Sequence, residues 1–264
     1  MSKPSFVFAT GSFAPPEFYD NIVADITAKG YEIKVLQLPT VGPAAGGNLD
    51  KEPPTLYDDA KLIKGEIEKL ADAGKEVILV AHSYGGMPAT ESTKGLSLEE
   101  RQARGEKGGL VRLAYKTCVV GEPGECSEDI LVQRPDKVFM EPDEKGWLHF
   151  INNEEMAVDC FNDMPRDDAI RWQKIFTNHS GPSFKNTLRH PGYKDVPVSF
   201  MLCEQDNIVP PAAAQRAIDI INAARPADSQ VDVTRVKSGH CPTSSIPDQV
   251  VEWLLSLPEV ARKI

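Results

Sequence analysis

Short apolar runs alternate along the chain with longer segments whose apolar residues recur every three or four positions. The short runs predict buried β-strands, at residues 5–10, 31–39, 76–82, 110–120, 196–206 and 231–240. The longer segments predict amphipathic helices at residues 16–30, 56–75 and 247–257. A run that is apolar throughout, such as EVILVAH, is typical of a parallel sheet covered on both faces. The order of elements therefore predicts a doubly wound, mostly parallel α/β fold.

Residues 122–193 break this alternation. The segment contains Trp147, Trp172 and several phenylalanines, and its stretches MAVDCFND and PRDDAIRWQKIFTNHS have helical character. An aromatic helical insertion before the strand at 196–206 predicts a small cap over a pocket, and extra packing helices are the alternative. We expect a single domain in which residues 1–121 and 194–264 form the core and residues 122–193 form the cap.

A serine stands directly after the apolar run EVILVAH, in the sequence Ala81-His82-Ser83-Tyr84-Gly85. This sequence matches the G-x-S-x-G nucleophile elbow except that Ala81 replaces the first glycine, a change between small residues that the sharp turn tolerates. Such a turn raises the serine hydroxyl above the sheet and directs the next N–H at a reacting carbonyl oxygen. The sequence therefore predicts that Ser83 is a nucleophile. The alternative is a glycine-rich turn in a non-catalytic α/β protein.

An acid and a histidine follow in the order that this arrangement requires. Asp206 comes directly after the predicted strand VSFMLC, and His240 comes directly after VDVTRV. We expect His240 to take the proton of Ser83 and Asp206 to orient the imidazole, so that the three form a catalytic triad. Glu122, which follows the preceding strand, is an alternative acid.

The loop after the first strand and the elbow predict an oxyanion hole. The backbone N–H groups of Tyr84 and Ser12 are the expected donors, with Phe13 as an alternative to Ser12. Candidate substrate-binding residues, each with local packing as the alternative, are Phe13, His82, Tyr84, Trp147 and Trp172. Other polar residues predict surface or loop positions rather than a site, namely His149, His179, His190 and Gln215.

Composition narrows the classes of function. The 264 residues carry a formal net charge of −10, which argues against nucleic acid and anionic membrane surfaces as partners. No apolar run approaches the length of a membrane span or of a signal peptide. The five cysteines have no metal-type spacing and predict reduced thiols in a cytoplasmic protein. We expect no metal.

The chain resembles an α/β-hydrolase of the plant methylesterase and hydroxynitrile-lyase-like group, in a fungal or bacterial branch. The resemblance covers nearly the whole chain and rests on segments TGSFAPPEFYDNI, GLSLEERQARGEKGGLVRLAY, FNDMPRDDAIRWQKIFTNHS, LCEQDNIVPPAAAQRAI and SGHCPTSSIPDQVVEWL. It implies a small helical cap and no cofactor. The group handles small esters, lactones, cyanohydrins or polyketide-derived compounds. Ala81 and the Cys241-Pro242 pair depart from its pattern without removing a catalytic group.

Together these observations predict a serine hydrolase that cleaves a small apolar ester or lactone, as a monomer or homodimer. A lyase or polyketide-processing enzyme on the same scaffold is one alternative. It would use the triad as a base, and no lysine that could serve a hydroxynitrile lyase can be placed near the cap. A non-catalytic small-molecule-binding protein is the other alternative, although such proteins often lose a triad residue and this chain has all three.

Overall fold

The computed structural model describes residues 3–42, 52–131 and 139–260. Strands in these ranges are β1 (Ser5–Ala9), β2 (Ile33–Leu36), β3 (Glu76–His82), β4 (Gly109–Lys116), β5 (Met140–Pro142), β6 (Trp147–Phe150), β7 (His179–Ser180), β8 (Val198–Cys203) and β9 (Asp232–Val236). Six of them form one sheet in the order β2-β1-β3-β4-β8-β9, in which every neighbouring pair is parallel. The parallel sheet expected from the apolar runs is confirmed.

Helices connect the strands. They are α1 (Asp20–Ala28), α2 (Leu56–Asp72), α3 (Gly86–Ser92), α4 (Leu98–Ala103), α5 (Ser127–Ile130), α6 (Asn153–Cys160), α7 (Arg166–Gln173), α8 (Pro211–Ala223), α9 (Pro242–Ser245) and α10 (Pro247–Val260). Short 3-10 turns span Pro16–Tyr19, Ser83–Gly85, Pro182–Lys185 and Gly192–Lys194.

Two apolar cores cover the two faces of the parallel sheet. Successive strand residues point to opposite faces, so Val7 and Leu79 belong to one core and Phe8 and Val80 to the other. Helices α2 and α8 contribute to the first core, and α1 and α10 to the second. The central strands are therefore apolar on both faces, which explains their continuous hydrophobic runs.

Most of the predicted strands are shorter than the runs that predicted them, and β4 and β2 show why. Strand β4 ends at Lys116 because Thr117 has a positive φ of 49°, a backbone conformation that breaks an extended strand. Strand β2 ends at Leu36, and the chain then turns where the Val41 N–H donates to the Leu38 carbonyl at 3.0 Å.

The segment between β4 and β8 contains a small sheet as well as helices. Helices α6 and α7 lie where helical character was predicted, but β5, β6 and β7 also form an antiparallel sheet in that order. These strands had no signal in the sequence, because they are two to four residues long and carry no clear alternation. Residues 132–138 of the predicted cap, and 1–2, 43–51 and 261–264 of the predicted core, lie outside the described residues. The division into core and cap stays a prediction.

Within the described ranges, no helix is both long enough and apolar enough to cross a membrane.

Candidate active site

Ser83 occupies a strained turn between β3 and α3. Its φ is +53°, in the left-handed region that non-glycine residues rarely adopt. The turn brings backbone segments very close together. A Cβ added to Gly85 would lie 2.4 Å from the Thr10 carbonyl oxygen, and one added to Gly86 would lie 2.4 Å from that of Val119. Only glycine fits at these two positions, as the elbow motif requires.

Ser83, His240 and Asp206 form a continuous hydrogen-bonded chain. The Ser83 Oγ lies 2.8 Å from His240 Nε2, and His240 Nδ1 lies 2.8 Å from Asp206 Oδ2. All three side chains are buried, and Ser83 is 6 % exposed. Because a carboxylate only accepts hydrogen bonds, Nδ1 carries the imidazole proton and Nε2 is free to accept the proton of the Ser83 hydroxyl. The arrangement is able to deprotonate Ser83.

The second oxygen of Asp206 is also occupied. Asp206 Oδ1 accepts hydrogen bonds from the backbone N–H groups of Ile208 at 2.7 Å and Val209 at 2.8 Å. These bonds fix the carboxylate in the turn that follows β8. Glu122, the alternative acid, is exposed and its backbone N–H is bound by Glu125. The structure therefore places Asp206, and not Glu122, against the histidine.

The loop after β1 lies directly over the nucleophile. A Cβ on Gly11 would lie 3.2 Å from that of Ser83. The Gly11 N–H donates to the Tyr19 hydroxyl at 3.0 Å, so it is already engaged. Among the described residues, the N–H groups of Ser12, Phe13 and Tyr84 have no hydrogen-bond partner. The oxyanion hole formed by Tyr84 with Ser12 or Phe13 stays a prediction.

Comparisons with known proteins place the chain in a family. A family model described as alpha/beta hydrolase family matches residues 6–253. The chain belongs to the alpha/beta hydrolase family. It is also similar to the probable hydrolase R7 of Phoma sp., with 32% identity over 255 residues, 95% of this chain and 96% of that protein. The family resemblance seen in the sequence is thereby confirmed.

Solved structures share the fold of this alpha/beta hydrolase at low sequence identity. A pyrethroid hydrolase from Sphingobium faniae JZ-2 has a TM-score of 0.71 and 20% identity, with 100% of both chains covered. Tomato methylketone synthase I has a TM-score of 0.72 and 16% identity, with 99% of this chain and 100% of that one covered.

His82 is held by hydrogen bonds at both ring nitrogens in this alpha/beta hydrolase. Its Nε2–H donates to the His240 carbonyl at 3.1 Å, and its Nδ1 accepts from the Tyr19 hydroxyl at 2.8 Å. Burial, reinforced by the nearby Lys116, lowers the pKa of His82 well below its usual value. The neutral ring links the loop after β1, through Tyr19, to the backbone of His240. Both ring nitrogens are thus engaged by protein groups, and a contact of His82 with substrate stays a prediction.

Tyr84 has a polar anchor that sequence reasoning missed. Its hydroxyl donates to Asp59 Oδ2 at 2.9 Å, and Thr40 donates its hydroxyl to the same oxygen at 2.6 Å and its N–H to Oδ1 at 3.0 Å. Burial raises the pKa of the Asp59 carboxyl to about 7, although the hydrogen bonds from Thr40 and Tyr84 lower it. Asp59 shares the apolar face of α2 with Leu56 and Ile63, and a carboxylate at that helical spacing was the available signal.

His179 is a second residue that the sequence placed wrongly. It was expected in a surface loop, but it is fully buried in β7. Its ring lies 4.6 Å from that of Tyr84, the residue after the nucleophile, and 5.2 Å from that of Phe13. Burial lowers the pKa of His179 to about 3, so the ring is neutral. The other two cap-region histidines, His149 and His190, pair with Asp143 and Asp195.

The remaining candidate residues have the following contacts. The Phe13 ring, whose backbone has a φ of +63°, packs 4.5 Å from Phe150. Trp172 packs edge-on against Phe18 at 5.3 Å, and Trp147 lies in β6, paired with β7. A substrate-binding role for the two tryptophans stays a prediction. Gln215 on α8 hydrogen-bonds Asp219 and Arg235 at the surface.

Lys116 is a buried cation beneath the site. It is fully buried at the end of β4, and its ammonium donates to the Thr243 hydroxyl. It lies 5.5 Å from the centre of the Tyr19 ring and 5.8 Å from that of Phe8. Burial lowers the pKa of Lys116 to about 8.

All five cysteines are free and buried. In the part of the chain that the structure describes, no three histidine, cysteine, aspartate or glutamate side chains are grouped so that they could hold a metal ion.

Proposed function

We propose that this protein is a serine hydrolase that cleaves a small, apolar carboxylic ester or lactone through an acyl-enzyme on Ser83, without a cofactor. Membership of the alpha/beta hydrolase family and the similarity to the probable hydrolase R7 support the broader statement, hydrolysis. The observation that carries the finer one is the Ser83–His240–Asp206 chain at the strained elbow.

The reaction follows from the hydrogen bonds. Ser83 Oγ attacks the ester carbonyl carbon while its proton passes to His240 Nε2. The negative oxygen that develops is stabilised by the N–H of Tyr84 and that of Ser12 or Phe13. The C–O bond then breaks, and His240 returns the proton to the leaving oxygen. Water repeats the sequence on the acyl-enzyme, which releases the acid and restores Ser83.

Two features of the surroundings of the triad favour an apolar substrate. The triad is buried, so that hydrogen bonds within it act in an environment of low dielectric constant. Aromatic rings cluster around the loop after β1, where the Phe13 ring contacts those of Phe150 and His179. An uncharged ester or lactone enters such surroundings with a smaller desolvation cost than a charged one.

The test is covalent labelling of Ser83 by a fluorophosphonate, read by intact-mass spectrometry. Wild type is compared with Ser83→Ala and with Ser256→Ala, which removes an exposed hydroxyl on α10. One adduct is expected on wild type and on Ser256→Ala, and none on Ser83→Ala. Hydrolysis of 4-nitrophenyl butyrate and of dihydrocoumarin then tests the ester and the lactone. A folded wild type that is not labelled would contradict the proposal.

A lyase or polyketide-processing reaction is the second candidate. Tomato methylketone synthase I, whose name does not describe a hydrolase, shares the fold. In a lyase the triad would act as a base and Ser83 would not be acylated. Rapid quenching during turnover of 4-nitrophenyl butyrate separates the hydrolase from the lyase, because only the hydrolase forms an acyl adduct on Ser83.

A further inference from the structure

Asp59 is a buried carboxyl group that the triad mechanism does not use. It is 0 % exposed in the first turn of α2, and none of the ion pairs among the described residues includes it. Both of its oxygens accept hydrogen bonds, from the N–H and hydroxyl of Thr40 and from the hydroxyl of Tyr84. Burying a carboxyl group without a cation costs free energy. The hydrogen-bond partners of Asp59 therefore indicate which groups it holds in place.

One of those partners is the residue that follows the nucleophile. We propose that Asp59 is a positioning residue, which holds the Tyr84 hydroxyl and thereby fixes the direction of the Tyr84 backbone N–H beside Ser83. The inference rests on the proposed function, because that N–H matters only where an oxyanion develops.

The Tyr84 side chain is held along its whole length. Its ring packs against His179 at 4.6 Å and Phe184 at 5.4 Å, and its far end is bound by Asp59 at 2.9 Å. A rigid aromatic ring has only two rotatable bonds, so fixing its hydroxyl restricts the orientation of the attached Cα and of the N–H on that Cα.

Backbone strain makes such an anchor necessary. Tyr84 follows Ser83, whose φ is +53°, and it lies in a single 3-10 turn of three residues. A left-handed serine relaxes unless neighbouring contacts hold it. On the loop side, Gly85 is held by close approach to the backbone of Ala9 and Thr10. On the side of α2, the hydrogen bond from the Tyr84 hydroxyl to Asp59 connects the turn to that helix.

The experiment compares Asp59→Asn, Tyr84→Phe and the double variant with wild type, using steady-state hydrolysis of 4-nitrophenyl butyrate. Glu68→Gln, which removes a half-exposed carboxylate from the same helix, is the matched control. Each single variant is expected to lower kcat by about 10- to 100-fold while KM stays within about twofold, because a misdirected oxyanion donor weakens the transition state and not the ground state. Since Asp59 acts through the hydroxyl, the double variant is expected to lose no more than the worse single variant.

The outcomes separate the two claims. If wild type is labelled on Ser83 and hydrolyses the ester, but Tyr84→Phe keeps kcat within about twofold of wild type, the positioning role is wrong. Multiplicative losses in the double variant, or a change confined to KM, would also overturn it. Tyr84→Phe removes one oxygen, so it decides the question alone if Asp59→Asn does not fold. A wild type that is never labelled refutes the proposed function itself.

Discussion

Replacement of Asp206 by asparagine is the sharpest single test of how the triad works. The substitution keeps the shape of the side chain and exchanges one oxygen for an NH2 group. The two backbone N–H groups of Ile208 and Val209 lie 2.7 and 2.8 Å from Asp206 Oδ1. An amide oxygen must face these donors, because an NH2 group there would leave three donors facing each other. The NH2 group is therefore placed at the position of Oδ2, 2.8 Å from His240 Nδ1.

That placement forces the wrong tautomer on His240. An NH2 group only donates, so Nδ1 must accept and the imidazole proton moves to Nε2. The Nε2–H then points at Ser83 Oγ, 2.8 Å away, and the imidazole cannot take the serine proton. A tautomer change of this kind lowers kcat of serine hydrolases by about 10⁴-fold, which corresponds to about 5 kcal/mol of transition-state stabilisation.

The assay is release of 4-nitrophenol by Asp206→Asn, with Glu122→Gln as the control that removes the alternative acid. We expect kcat of Asp206→Asn to fall by about 10³- to 10⁴-fold, and that of Glu122→Gln to stay within about twofold of wild type. Melting temperature and near-UV circular dichroism establish that both variants are folded. The reasoning is refuted if folded Asp206→Asn retains more than about a tenth of kcat, or if Glu122→Gln loses as much as Asp206→Asn.

Three further predictions concern stability and the surroundings of the site. Gly85→Ala should abolish activity and lower the free energy of unfolding by about 3 kcal/mol, because the alanine Cβ would lie 2.4 Å from the Thr10 carbonyl oxygen. The control is Gly65→Ala on α2, where nothing lies within 4 Å of the added Cβ; it should raise the free energy of unfolding by up to about 1 kcal/mol in the same urea titration. Tyr19→Phe leaves the Gly11 N–H and His82 Nδ1 without their hydrogen-bond partner and should lower the free energy of unfolding by about 1–3 kcal/mol. An unchanged urea midpoint would contradict the two hydrogen bonds of the Tyr19 hydroxyl. Lys116 has a folded pKa of about 8, below its usual 10.5, so it binds its proton less tightly in the folded chain. Wild-type stability should therefore rise with pH between these two values, and the rise should be smaller in Lys116→Met, as measured by urea titrations at several pH values.

The sheet and the order of the triad residues follow from local features of the sequence. The strands β1, β3, β4 and β8 lie in the central part of the sheet and are buried on both faces, so each is rich in apolar residues. The strand ends place the functional side chains, because parallel strands share one carboxyl edge. A motif of five residues, together with an acid and a histidine after later strands, was therefore enough to select Ser83, Asp206 and His240.

Contacts between segments distant in the sequence could not be predicted from local features. Asp59 and Tyr84 are 25 positions apart, and nothing in either neighbourhood specifies the other. Lys116 lies within a predicted strand, and nothing in the sequence indicates that its ammonium group is buried. His179 was expected at a surface or loop position, and the two-residue strand β7 that buries it is too short to show periodicity. Tertiary packing, and not local preference, buries all of these residues.

The positive φ angles of Ser83 and Phe13 have a consequence for how such a chain evolves. At +53° and +63°, both residues adopt a conformation that glycine adopts without steric cost, whereas other L-residues lose roughly 1–2 kcal/mol there. Selection for stability alone would favour glycine at both positions. The strained backbone at these two positions therefore draws on stability that the rest of the fold supplies, and the scaffold must be stable enough to tolerate both side chains.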